Sequence, residues 1–238
     1  MGAVPTRGSV ERLRATFREH GVAGLAYKTL DALRLYRRLV IVAIPLAPSP
    51  ARPLADASRV GVRRLERTGE DLRRYAELRP DQSPAEVRAR LEAGVECFLA
   101  LHDGAFASSL WAVRRHAHIH YLGCDLDVGT EAGYAFDAFT AAAHRGLDLN
   151  SWCSDLMRRS MAAAGCRRLF GLQLPENRNA MTLSPRRAHA FLGTAHVLGL
   201  GSLRRVVVRP AYDGALPPSF VLRPCRRIAK EGNRWHSS

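Results

Sequence analysis

Residues 141–156 read AAAHRGLDLNSWCSDL, and the way this stretch folds decides the class of the whole chain. Its first half is small, polar and glycine-bearing, which suits a tight loop. In the second half Trp152, Leu156, Met157 and Met161 fall on one side and Asp155, Arg158 and Arg159 on the other, the pattern of a helix that packs by one face and ends at Gly165. Upstream, residues 134–140 (YAFDAFT) read as a strand. Strand, loop and helix in succession bring the unpaired N–H groups and partial positive charge of a helix N-terminus to the end of a strand, an arrangement that receives a phosphate.

The flanks supply more elements. Residues 168–174 are expected as a strand, 175–179 as a loop, 186–191 as a helix, and 194–198 and 203–208 as two further strands. Gly199-Leu200-Gly201 lacks the rest of a dinucleotide fingerprint and reads as a hairpin turn. On the other side Val60 and Val62 alternate as in a strand, and Thr68 with Asp71 signals a helix through Leu72 and Tyr75. Ser83, Pro84 and Glu86 open another helix, which carries Val87 and Leu91 and stops at Gly94. Asp103-Gly104 joins the apolar runs 95–102 and 105–113 as a hairpin. Mixed order of this kind means an α/β or α+β sheet with helices on both faces.

The chain divides into residues 1–57, a basic helical arm and proline-rich linker; 58–209, the main domain; and 210–238, a basic tail. Residues 45–53, PLAPSPARP, form the linker. The longest notable apolar run, residues 39–47 (LVIVAIPLA), is too short to span a bilayer, but beside Arg34, Arg37 and Arg38 it is compatible with peripheral membrane contact through residues 1–47. Five cysteines without a CxxC pair suggest a reducing, cytoplasmic setting. The net charge is +14 and Lys occurs only at 28 and 230, so 34 of the 36 cations are Arg. That favours anionic ligands, yet no nucleic-acid-reading motif accompanies it, and nucleic acid is not expected as a partner.

At HRGLDLN (144–150), PENRNA (175–180) and AFLG (190–193) the sequence resembles the GNAT-type N-acetyltransferases, over residues 58–209 in element order. The resemblance implies a mixed, mostly antiparallel central sheet, acetyl-CoA or another acyl-CoA as co-substrate, and direct acyl transfer to a small-molecule or saccharide amine. It also implies cofactor contacts from Phe139, Thr140, Arg145, Gly146, Leu147, Asp148, Leu149, Asn150, Ser151, Asn177 and Asn179. Arg145 and Gly146 match the pyrophosphate motif, whereas Asp148 and Asn150 replace a glycine and a small residue. A carboxylate about 4 Å from a phosphate charge costs roughly 1 kcal/mol in water-like surroundings and about 4 kcal/mol at a protein surface.

For acid–base chemistry the candidates are Asp137, on the strand before the loop, and Glu96, at the start of an earlier strand, as second choice; Asp137 is more readily read as an ion-paired strand aspartate. The family's frequent tyrosine acid is missing from SPRRAH (184–189), which leaves Ser184 and His189 for the leaving thiolate. His116, His118 and His120 alternate on one strand face. Same-face neighbours along a strand stand roughly 6–7 Å apart, so three consecutive ligands would strain it. With no nearby carboxylate or cysteine completing a set, no metal is expected and the face reads as solvated or as the wall of an acceptor cleft. Two other functions fit the chain: a non-catalytic binding or regulatory module of the same fold, and a membrane-surface assembly factor.

Overall fold

The computed structural model describes residues 35–47, 57–177, 181, 189–200 and 203–225. Among them nine strands form one sheet: β1 Tyr36–Ile44, β2 Val60–Arg64, β3 Glu96–His102, β4 Ala105–Ile119, β5 Cys124–Thr140, β6 Arg168–Gln173, β7 Ala190–Leu200, β8 Leu203–Pro210 and β9 Val221–Pro224. Three helices accompany them: α1 Gly69–Leu78, α2 Pro84–Glu92 and α3 Leu149–Ala163. The strand order is β2-β3-β4-β5-β6-β1-β7-β8, with β9 on β5. The β5–β6 pair is parallel and the other pairs are antiparallel.

Local signals fix the ends of the elements. Thr68 Oγ1 accepts from the Asp71 N–H at 3.2 Å, and Ser83 and Glu86 bond reciprocally in a capping box. Asp103 (φ 51°) and Gly104 (φ 77°) take the two consecutive left-handed conformations that a two-residue hairpin needs.

Alternate residues of β3 face opposite ways. Phe98 and Ala100 meet Leu149, Cys153, Met157 and Met161 of α3, whereas Cys97 and Leu99 meet Leu72 and Tyr75 of α1 and Val87 and Leu91 of α2. Helices therefore cover both faces of this half of the sheet. Over the other half the β4–β5 hairpin and β9 fold back, so that Ile119, Leu122, Leu126 and Leu222 join Leu39, Ile41, Phe170 and Val197 in one core. The ladder shifts on both sides of Arg115 (φ 66°), which pairs with Gly129 (φ 83°). Left-handed residues at facing positions let both strands bend together.

Residues 36–44 correct the expected division of the chain. The apolar run beginning at Leu39 is not part of a separable arm but β1, a central strand between β6 and β7, with Leu39 and Ile41 at 0% exposure. A strand buried on both faces loses the polar alternation that would have marked it, and a short apolar run alone does not separate strand from helix. The helices expected before residue 35 and the linker residues 48–53 lie outside the described residues. Two other boundaries also move. β9 brings residues 221–224 of the expected tail into the sheet, and Ala190 and Phe191, expected as helical, open β7.

Candidate functional site

β5 and β6 pair only from Ala132↔Arg168 to Ala135↔Gly171, although β5 continues to Thr140 and β6 to Gln173. Beyond that point β6 stays paired with β1 through Val40↔Gln173, and β5 stays with β4 through Ser108↔Thr140. Each strand follows its outer neighbour, so the two part at their carboxyl ends and leave an opening in the sheet. Carboxyl ends of parallel strands are where open α/β sheets take ligands.

Just before the parting strands lose contact with their outer partners, β5 is irregular. Ser109↔Phe139 and Trp111↔Phe136 bracket a bulge in which Asp137 and Ala138 together oppose Leu110. Asp137 has φ 51°. Its Oδ1 accepts from Arg79 Nη1 at 2.9 Å, and its Oδ2 accepts from Gln82 Nε2 at 2.8 Å and Arg90 Nη1 at 3.0 Å. Arg79, 5% exposed, also holds Asp81, whose carboxyl is drawn below the usual range by hydrogen bonding to that guanidinium. The Arg79 guanidinium lies 4.6 Å from the Phe139 ring centroid and that of Arg90 lies 5.3 Å from the Trp111 ring. Asp137 is thus the ion-paired carboxylate of the two readings, fastening the α1–α2 connection to the bulge. The residues that hold it, Arg79, Gln82 and Arg90, carry no sequence signal, since all three look like solvated helix-end residues.

Past the bulge the chain leaves the sheet through a fixed corner. The Ser108 hydroxyl donates to the Phe139 carbonyl at 2.8 Å and lies 2.9 Å from Thr140 Oγ1. A 3-10 turn, Ala142–His144, follows, and Arg145 is exposed with Nε 3.5 Å from the Thr140 carbonyl. Gly146 has φ 89° and nothing within 4 Å of the place a Cβ would take. Asp148, at the N-cap of α3, has φ 51° and ψ 25°. It adopts the left-handed conformation that glycine takes most easily, and its Oδ1 accepts the Ser151 hydroxyl at 2.7 Å. Leu149 is buried and Leu147 half-buried against α3's core, which anchors the loop on both sides of Asp148. Asn150 Oδ1 is buried with no hydrogen-bond partner.

The remaining candidates are scattered. Glu96 accepts from Ser160 Oγ at 3.0 Å and pairs with Arg64 at 3.2 Å, on the α3 face, opposite to Asp137. The two carboxylates do not share a site. Asn177 stands in the turn after β6, its N–H bonded to the Leu174 carbonyl at 3.0 Å, on the other arm of the opening. His189 precedes Ala190, which pairs with Ala43, itself opposite Phe170. That register puts His189 level with the start of β6, away from the opening, and removes the role the sequence offered it. Ser184 and Asn179 lie outside the described residues. AFLG also changes meaning: a Cβ on Gly193 would stand 2.3 Å from the Arg209 carbonyl, so this glycine admits β8.

No protein-family model matches the chain, and no curated protein matches it. Solved structures similar to this one include a functionally unknown conserved protein from Staphylococcus epidermidis, with a TM-score of 0.47, 8% identity, and coverage of 82% of this chain and 80% of that one. A Drosophila protein has a TM-score of 0.48 and 14% identity over 72% of this chain and 55% of that one. An aminoglycoside N-acetyltransferase in complex with CoA has a TM-score of 0.43 and 19% identity over 54% of this chain and 86% of that one. Likeness at this level does not bear on function, which rests on the geometry of the site. No helix among the described residues is long and apolar enough to cross a membrane.

Proposed function

We propose that the chain is an acyl-CoA-dependent N-acyltransferase that uses acetyl-CoA and a small-molecule or saccharide amine. The observation that carries this reading is the parting of β5 and β6 beyond Ala135 and Gly171, directly before the N-terminus of α3. An opening between two strand edges offers main-chain groups to an extended pantetheine arm, with Phe139, Thr140 and Asn177 at its borders. The N–H groups from Gly146 to Asn150 meet the pyrophosphate, helped by the dipole of α3 and the charge of Arg145.

In the transfer, the amine nitrogen attacks the thioester carbonyl carbon, the C–S bond breaks, CoA leaves as the thiolate and the nitrogen gives up a proton. Main-chain groups of β5 beyond Ala135, which have no partner on β6, face the developing oxyanion. Asp137 holds that bulge in place, and the proton passes to water standing in the opening.

Calorimetry with acetyl-CoA tests the reading, followed by thiol release in the presence of amines. Arg145→Ala removes one charge-assisted contact of about 1.5–3 kcal/mol, so affinity should fall roughly ten- to hundredfold while the melt stays unchanged. Absence of acetyl-CoA binding in the full chain overturns the proposal. One observation favours a second reading, binding without transfer: both oxygens of Asp137 are occupied. Binding with no thiol release for any amine selects it.

A further inference from the structure

At the end of β5 remote from the opening, three strands bring together a donor set that no single stretch of sequence contains. Register places His118 opposite Asp125, Asp125 opposite Arg223, and His116 opposite Asp127. These side chains share the outer face of the β4–β5–β9 ribbon, while Ile119, Leu126 and Leu222 turn into the core. Cys225, two residues beyond Arg223, returns to the outer face, with its N–H bonded to the Gly123 carbonyl at 3.0 Å. His118 Nδ1 lies 2.7 Å from Asp125 Oδ1, and His116 Nδ1 lies 3.5 Å from Asp127 Oδ2. One ligand atom each from His118, Asp125 and Cys225 all fall within 4.8 Å of one another. A surface pocket of about 330 Å³ is bordered by the two histidines, the two aspartates and Arg223.

We propose that His118, Asp125 and Cys225 form a zinc site. Imidazole nitrogen, carboxylate oxygen and thiolate sulfur are zinc's usual ligands, and with bonds of about 2.0–2.3 Å they stand roughly 3.3–3.8 Å apart in a tetrahedron. The present separations, 2.7 Å between His118 Nδ1 and Asp125 Oδ1 and none above 4.8 Å, bracket that spacing, so small side-chain rotations seat an ion. The objection that consecutive histidines on one strand are too far apart does not apply across strands. Neighbouring strands lie about 4.8 Å apart, a gap that one ion bridges, and each ligand here comes from a different strand or its end. Charge also matches: two carboxylates and a thiolate balance a divalent ion together with Arg223. Cys225 is partly exposed whereas Cys97, Cys124, Cys153 and Cys166 are buried, so it is the thiol that an ion from solvent reaches. Water fills the fourth position. The bound ion staples β9 to the hairpin that covers the core.

The test is titration of the chelator-treated, reduced full chain with Co²⁺, read by absorption. One equivalent should bind with tetrahedral visible bands and a thiolate-to-cobalt charge-transfer band, Zn²⁺ should displace it, and Tm should rise. Cys225→Ser should abolish the charge-transfer band and weaken binding at least tenfold, whereas Cys166→Ala should leave both unchanged. Asp125→Asn and His118→Asn should each weaken binding at least tenfold, which keeps the test decisive if Cys225→Ser folds poorly. A spectrum without the charge-transfer band, a band that survives Cys225→Ser, or affinity unaffected by Asp125→Asn overturns the site.

Discussion

Asp137 and Asp148 share a backbone conformation, φ 51°, and put it to different uses. Asp137 is the hub of Arg79, Gln82 and Arg90. Truncating it leaves Arg79, at 5% exposure, with Asp81 as its remaining carboxylate and strips its Nη1 and the Arg90 and Gln82 donors of their acceptor, and an unsatisfied buried donor costs about 1–3 kcal/mol. Asp137→Ala should therefore lower the denaturation midpoint substantially, and thermal or urea melts measure it; a mutant that melts like wild type would return Asp137 to consideration as a base. At Asp148 the backbone is the obstacle, because the left-handed conformation costs a non-glycine residue roughly 1–2 kcal/mol. Asp148→Gly relieves that and removes a charge beside the proposed pyrophosphate position. It should leave stability level or slightly higher, and tighten acetyl-CoA binding more at low salt than at high salt. Asp148→Ala keeps the strain and loses the bond to Ser151, so it should melt earlier. Paired melts and calorimetry at two salt concentrations separate these outcomes. The sequence shows Asp at the glycine position of the motif, and Asp is among the residues that tolerate this conformation. The guanidinium cage around Asp137 was illegible there, because its members lie 47 to 58 residues away along the chain.

At the scale of elements, legibility followed the physical origin of each signal. Caps and turns act within a few residues, so Thr68–Asp71, Ser83–Glu86 and Asp103-Gly104 could be read directly. β1 and β9 depend on partners far along the chain, and local pattern did not mark them as strands. The opening was half visible: strand, loop and helix were readable, but the parting of β5 from β6 exists only because β1 holds β6 to the other side. It follows that removing residues 1–57 deletes the middle of the sheet and a wall of the proposed site. The truncated protein should show no cooperative melt, whereas loss of residues 1–34 alone should preserve one. A sharp melt after removal of 1–57 would mean that β6 and β7 close on each other without β1.

Across the whole molecule the electrostatic balance is lopsided, at +14, and the few carboxylates are heavily engaged. Hydrogen bonding to Arg63 lowers the Asp71 pKa from 3.8, and Arg79 does the same for Asp81. Groups depressed in the folded state stabilise it above their unfolded pKa and lose that contribution as pH falls through the folded one. Tm should thus drop between roughly pH 5 and pH 2, and Asp71→Asn should shallow that slope while lowering Tm at neutral pH. Equal slopes would show that Asp71 makes no such contribution. The position of β1 has a further consequence, for a chain made on the ribosome from its N-terminus. Val40 is synthesised about 130 residues before Gln173, its partner, a delay on the order of ten seconds at ordinary translation rates. Throughout that interval Leu39, Ile41 and their neighbours have neither flanking strand to pair with. The nascent chain therefore presents a sticky, unsatisfied segment until its last third emerges, and its yield in cells should depend on whatever shields that segment in the meantime.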